Sequence, residues 1–101
     1  MYNLNMALKD LLPTLRAQIP LLKKKYAVST LQVFGSYVRQ EQTAESDLDL
    51  LVDFDEVPSL LEFIALENYL SDIVGIQVDL VMKDSLKAPL DQFILGEAVP
   101  V

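Results

Sequence analysis

Apolar positions along the chain change period several times, and each change marks an element. From residue 8 to 26, Leu8, Leu11, Leu12, Leu15, Ile19, Leu22 and Tyr26 recur at spacings of three and four, the stripe of an amphipathic helix. Pro13 and Pro20 interrupt it, because each lacks an N–H and disfavours helical geometry at the preceding residue. The pattern predicts a short lead-in, a helix from about Pro13, and a kink or break near Pro20. Lys23, Lys24 and Lys25 close its last turn, where cations suit the helix dipole, and read first as a solvated helix end and second as a phosphate or RNA contact.

Leu31 to Phe34 prefer extended backbone and predict a strand that ends at Gly35. In residues 47–54 the period is two: Leu48, Leu50, Val52 and Phe54 form one apolar face, while Asp47, Asp49 and Asp53 share the other with Leu51. Residues 76–82 repeat the pattern, with Ile76, Val78, Leu80 and Met82 on one side and Gln77, Asp79 and Val81 on the other. Pro58 to Val74 reads as a helix with proline in its first turn and Gly75 at its end. Its apolar residues spread around most of the circumference, so burial on more than one side is expected, either by a protein partner or by the N-terminal helix and the sheet. Residues 84–96 predict a short helix broken at Pro89 and closed by Gly96, and Ala98 to Val101 a last short strand. The order of elements makes this an α/β or α+β domain: a small mixed β-sheet with helices mainly on one face and acids on the other.

Those acids carry the candidate chemistry. Asp47 and Asp49, at i and i+2 of a strand, lie roughly 6.5–7 Å apart, a spacing from which both can reach a hard cation between them. Mg²⁺ takes oxygen ligands from one or two carboxylates plus substrate phosphates. A pair of such ions can clamp the attacking and leaving oxygens of a phosphoryl displacement. If both apolar strand faces pack under one helical layer, Asp79 joins Asp47 and Asp49 in a three-carboxylate cluster. Asp53, followed by Asp55 and Glu56, reads instead as the solvated end of its strand. Ahead of the acids stands Gly35-Ser36, a strand-to-helix turn in which Gly35 admits close backbone approach and Ser36 is a good N-cap. Free N–H groups and the Ser36 hydroxyl there suit a phosphate. Arg39, one turn on, can pair with Glu41 or Glu45 or reach that phosphate.

Composition narrows the choice of chemistry. The 101 residues suit one domain and include neither cysteine nor histidine, so disulfides, thiolate nucleophiles, Ser-His triads and ordinary zinc sites are excluded. Carboxylates must carry the reaction. No apolar run approaches a membrane span, and the N-terminus, with Asn3, Asn5 and Asp10 among its leucines, lacks the form of a signal peptide; a cytoplasmic location is expected. The net charge of −7 argues against wrapping a nucleic-acid backbone. It is unevenly spread. Residues 1–40 hold six basic residues against Asp10 alone, net +5, and residues 41–101 hold two against fourteen acids, net −12. An acidic half of this kind either serves solubility alone or is held together at its site by cations.

Gly35-Ser36, ten residues, then Asp47-x-Asp49 and a later strand acid in Val78-Asp79-Leu80 resemble the nucleotidyltransferase superfamily that includes polymerase beta. The short chain, the Phe34-Gly-Ser-Tyr-x-Arg39 opening and the ending Ile94…Glu97-Ala98-Val99 resemble more narrowly the minimal nucleotidyltransferases (MNT), small prokaryotic proteins paired with HEPN toxins. The resemblance runs from about Leu8 to Val101. It implies that Gly35 and Ser36 hold the triphosphate of ATP, that Asp47 and Asp49 bind Mg²⁺, and that Asp79 completes the metal site or helps to deprotonate the attacking hydroxyl. It further implies transfer of AMP to a tyrosine of a HEPN toxin, with this chain as antitoxin. Two rivals are a module that neutralises its partner by contact alone and a nucleotide-sensing subunit without transfer. The chain departs from the family pattern in two places: Gln40 stands where relatives often have Gly, and Asp91, Gln92 and Gly96 occupy a last helix that often carries Arg or Lys.

Overall fold

The computed structural model describes residues 6–101, so Asn3 and Asn5 lie outside the described residues. In chain order it contains α1 (Leu8–Tyr26), β1 (Val28–Phe34), α2 (Ser36–Arg39), β2 (Leu48–Phe54), α3 (Leu60–Val74), β3 (Val78–Met82), a 3-10 turn (Lys83–Ser85), α4 (Leu90–Glu97) and β4 (Val99–Pro100). The strands form one mixed sheet in the order β3-β2-β1-β4, with β1 antiparallel to β2 and β4, and β2 parallel to β3. This is the small mixed sheet that the alternation predicts.

The core follows the strand periods. Leu48, Leu50 and Val52 of β2 and Val78 and Leu80 of β3 are buried in one cluster with Leu11, Leu15 and Leu22 of α1 and Leu66, Leu70 and Val74 of α3. Thus α1 and α3 cover one face of the sheet. On the other face Leu51 is not left among the acids: with Phe34 it packs under Ile94 of α4, flanked by Val81, Leu86 and Ala98. α4 therefore roofs part of the acidic face.

Three expectations need correction. α1 is a single helix from Leu8, with both prolines inside it. Asp10 accepts the Ala7 N–H at 3.0 Å and anchors the start. Pro13 and Pro20 are seven residues apart, hence on one side of the helix, and both are exposed; the carbonyls they orphan belong to Lys9 and Arg16, which are exposed too. Water can satisfy those groups, and burial of Leu11, Leu15 and Leu22, at about 1.5–3 kcal/mol each, offsets a cost of about 3 kcal/mol per proline. α3 begins at Leu60, after Pro58: the Ser59 hydroxyl accepts the Glu62 N–H at 3.2 Å, and the Glu62 carboxylate accepts the Ser59 N–H at 2.9 Å. Its apolar circumference is enclosed along its C-terminal half, whereas Leu60 and Leu61 at its start are 73% and 80% exposed. Last, the helix expected over 84–96 is split into the 3-10 turn and α4; α4 starts after Pro89 and runs through Gly96 to Glu97.

Candidate functional site

The site is assembled where β1 ends and β2 begins. The β1–β2 register sets Phe34 opposite Asp49, and the parallel β2–β3 register sets Asp49 opposite Asp79. Asp49 thus has the phosphate-turn candidate on one side and the third acid on the other. Asp47 precedes β2 and is exposed, as is Asp79, while Asp49 is half-buried. Burial, reinforced by the nearby charges of Asp79 and Asp47, pushes the Asp49 carboxyl up to about 6. Asp53 stands apart at the far end of β2, its carboxylate accepting the Phe54 N–H at 3.1 Å, in keeping with a strand-end role.

Gly35 is required at its position for two reasons. Its φ of 81° is strained for any residue with a side chain, and a Cβ there would collide with the Asp49 carboxylate. The close approach that a glycine permits is therefore made by the acid itself. The same φ corrects the expected cap: Gly35, not Ser36, is the N-cap of α2, and Ser36 is its first helical residue. The Ser36 hydroxyl is not used in capping. Val38 and Arg39 donate to the Gly35 carbonyl, while the N–H groups of Ser36 and Tyr37 lead the helix and have no partner within it. With one turn in α2, the capacity for an anion rests on these N–H groups and the hydroxyl more than on a dipole.

Arg39 has a partner that sequence reading missed. Its Nε donates to Glu41 at 3.0 Å and its Nη1 to both carboxylate oxygens of Glu97 at 3.0 Å; Glu45 is not among its partners. Glu97 also accepts the Gly35 N–H at 2.7 Å. One local signal was available. An acid in the last turn of a helix faces the negative end of the dipole, so a compensating donor is expected nearby. Gln40 ends α2 with a φ of 60°, the left-handed C-cap at which glycine is cheapest.

The donor set suits a hard divalent cation. Three carboxylates share one surface, and the most buried of them is destabilised as an anion by its burial and by the other two, a penalty that a bound cation offsets. Among the described residues no group of three or more His, Cys, Asp or Glu side chains is gathered closely enough to hold a metal ion by itself. Open carboxylates of this kind fit an ion whose remaining positions are taken by substrate phosphates.

The chain also resembles known proteins. The model of the nucleotidyltransferase domain family matches residues 15–101. Protein adenylyltransferase MntA of Thermococcus cleftensis is 47% identical over 96 residues, covering 95% of this chain and 97% of that protein. A solved structure provisionally named a minimal nucleotidyltransferase superposes with a TM-score of 0.78 at 35% identity, over 96% of this chain and 98% of that one. A second, an MNT antitoxin in complex with a tri-AMPylated HEPN toxin of Shewanella oneidensis, superposes with a TM-score of 0.58 over 91% of this chain and 66% of that one. At 22% identity this is a likeness of fold. The family model over residues 15–101 and the 47% identity to the Thermococcus protein show that the chain belongs to the nucleotidyltransferase domain family, among its small protein adenylyltransferases.

Proposed function

We propose that this protein transfers AMP from ATP, with Mg²⁺, to a tyrosine hydroxyl of a HEPN toxin and so acts as its antitoxin in the cytoplasm. One observation carries the reading: Asp49 lies against Gly35 on one side and in register with Asp79 on the other, which joins the phosphate turn and the acids into one site. The name of the Thermococcus relative, an adenylyltransferase, and the AMP-modified HEPN toxin held by the Shewanella MNT protein support the donor and the partner.

Each side chain then has a task. Ser36, through its hydroxyl and N–H, and Tyr37, through its N–H, take phosphate oxygens, and Arg39 offers them its remaining guanidinium donors. Asp47 and Asp49, with Asp79 at the edge, would hold Mg²⁺. Bound there, the cation supplies neutralisation of the triphosphate and favours the ionised acceptor oxygen. In the transfer, that oxygen forms a bond to the α-phosphorus while the bond from the α-phosphorus to its bridging oxygen breaks. Pyrophosphate leaves, and the phenolic proton passes to Asp79 or to water. Acceptor docking falls to the exposed apolar start of α3, around Leu60, Leu61 and Ile64, since Leu66, Leu70 and Val74 further along the helix are buried in the core.

Incubation with labelled ATP, Mg²⁺ and the neighbouring gene product is the test. Label is expected on a tyrosine of the partner with wild-type protein and none with Asp49→Asn. Full neutralisation of the partner by Asp49→Asn, without label from the wild type, would establish the contact-only antitoxin instead.

A further inference from the structure

Glu97 sits 62 residues beyond Gly35 in sequence, yet its carboxylate makes three contacts with the turn that the proposed reaction uses for phosphate. It is mostly buried, with a side chain 14% exposed. Its position is locally unfavourable, because α4 carries no basic residue in its last turn and Glu97 adds a negative charge to the negative end of the helix. A local rule broken in this way marks a residue kept for what it does elsewhere in the fold.

What it does can be read from its partners. Its Oε2 takes the N–H of Gly35, the residue whose unusual backbone sets the course of the turn. Both its oxygens take Nη1 of Arg39, while Glu41 takes Nε of the same guanidinium. Arg39 is gripped at two of its three nitrogens, and Nη2 alone has no partner among the described residues. A planar guanidinium held by two carboxylates gives up its rotational freedom in advance of binding, and its last nitrogen is left with two donors for an incoming anion.

We infer that Glu97 is a positioning residue for the nucleotide's phosphates: it fixes the Gly35 turn and the Arg39 guanidinium in the arrangement that receives them, without touching the nucleotide itself. This inference rests on the reading of Gly35 to Arg39 as the phosphate turn. The charge of Glu97 orients Arg39 and the oxygen geometry of Glu97 orients Gly35, so the two functions separate by substitution. Glu97→Gln keeps an oxygen for the Gly35 N–H and loses the charge that holds Arg39. Glu97→Ala loses both.

The experiment measures Mg²⁺–ATP affinity by calorimetry for wild type, Glu97→Gln and Glu97→Ala, together with KM and kcat for transfer to the partner and the melting temperature of each variant. The expected result is a graded loss of affinity, about tenfold for Gln and about a hundredfold for Ala, the range of one to two charge-assisted hydrogen bonds. KM for ATP should rise in step while kcat at saturating ATP changes less. A lower melting temperature with affinity within twofold of wild type in both variants would show a merely structural tie and overturn the inference. Absence of ATP binding by the wild-type protein would overturn the nucleotide reading and this inference with it, whereas wild-type binding matched by both variants overturns this inference alone.

Discussion

Asp49 is the residue with most at stake in the absence of a cation. Its carboxyl is raised to about 6 by burial and by the charges of Asp79 and Asp47, above the ordinary value of 3.8 that holds in the unfolded chain. Below that ordinary value both states are protonated and the residue contributes nothing. Between about 4 and 6 the unfolded chain ionises first, so stability falls as pH rises, and the full penalty is present above 6. Metal-free protein should therefore gain stability on acidification from pH 7 to 5, on the order of 0.5–1 kcal/mol after allowance for solvent screening. Urea denaturation in a chelator at the two pH values checks this, and Asp49→Asn should flatten the difference. At Gly35 the outcome is harsher. Gly35→Ala combines a positive φ with a collision against the Asp49 carboxylate, and should lose more than about 2 kcal/mol along with ATP binding, as read by melting and calorimetry.

At the scale of elements, two helix ends are left short of their optimum. Ala27 closes α1 with a φ of 58° and Gln40 closes α2 with a φ of 60°, both left-handed and both without glycine. Ala27→Gly and Gln40→Gly should each stabilise the protein by about 1 kcal/mol, and the two should add in thermal melts because they relieve strain at separate caps. The same scale shows what the sequence could disclose. The faces of β2 and β3 were legible, because a period of two leaves no freedom over which of Asp49 and Leu50 points into the core. The start of α3 was misplaced at Pro58, although the box that fixes it, Ser59 with Glu62, stands in the sequence. The continuity of α1 was not legible: whether a proline breaks a helix depends on whether its orphaned carbonyl meets water, and only the packed fold exposes that side. Nor was the tie from Glu97 to Gly35, which no periodicity encodes over so long a separation.

For the whole molecule, charge is the governing quantity. The −12 of residues 41–101 has its acids at the site on one open surface, so the folded state should respond strongly to ligands that carry positive charge there. With Mg²⁺–ATP at 100-fold over its dissociation constant the protein should gain about 2.7 kcal/mol. Melting curves with Mg²⁺, ATP, both or neither should show the large shift only with both, and Asp47→Asn should reduce it while leaving the metal-free melt unchanged or slightly higher. A strongly destabilised metal-free Asp47→Asn would make that acid a structural one.

The in-register pairing of Asp49 with Asp79 has a consequence for how errors are policed. Were β3 to slip by one residue along β2, Val78 or Leu80 would face solvent beside Asp49, and Asp79 would be driven into the layer beneath α1 and α3. A misaligned chain is thus also an unstable one, and quality control that recognises exposed leucine and buried charge removes it. Every molecule that survives folding carries its acids aligned. Activity can then be lost by substitution but not by misthreading, and a preparation's active fraction should equal its folded fraction.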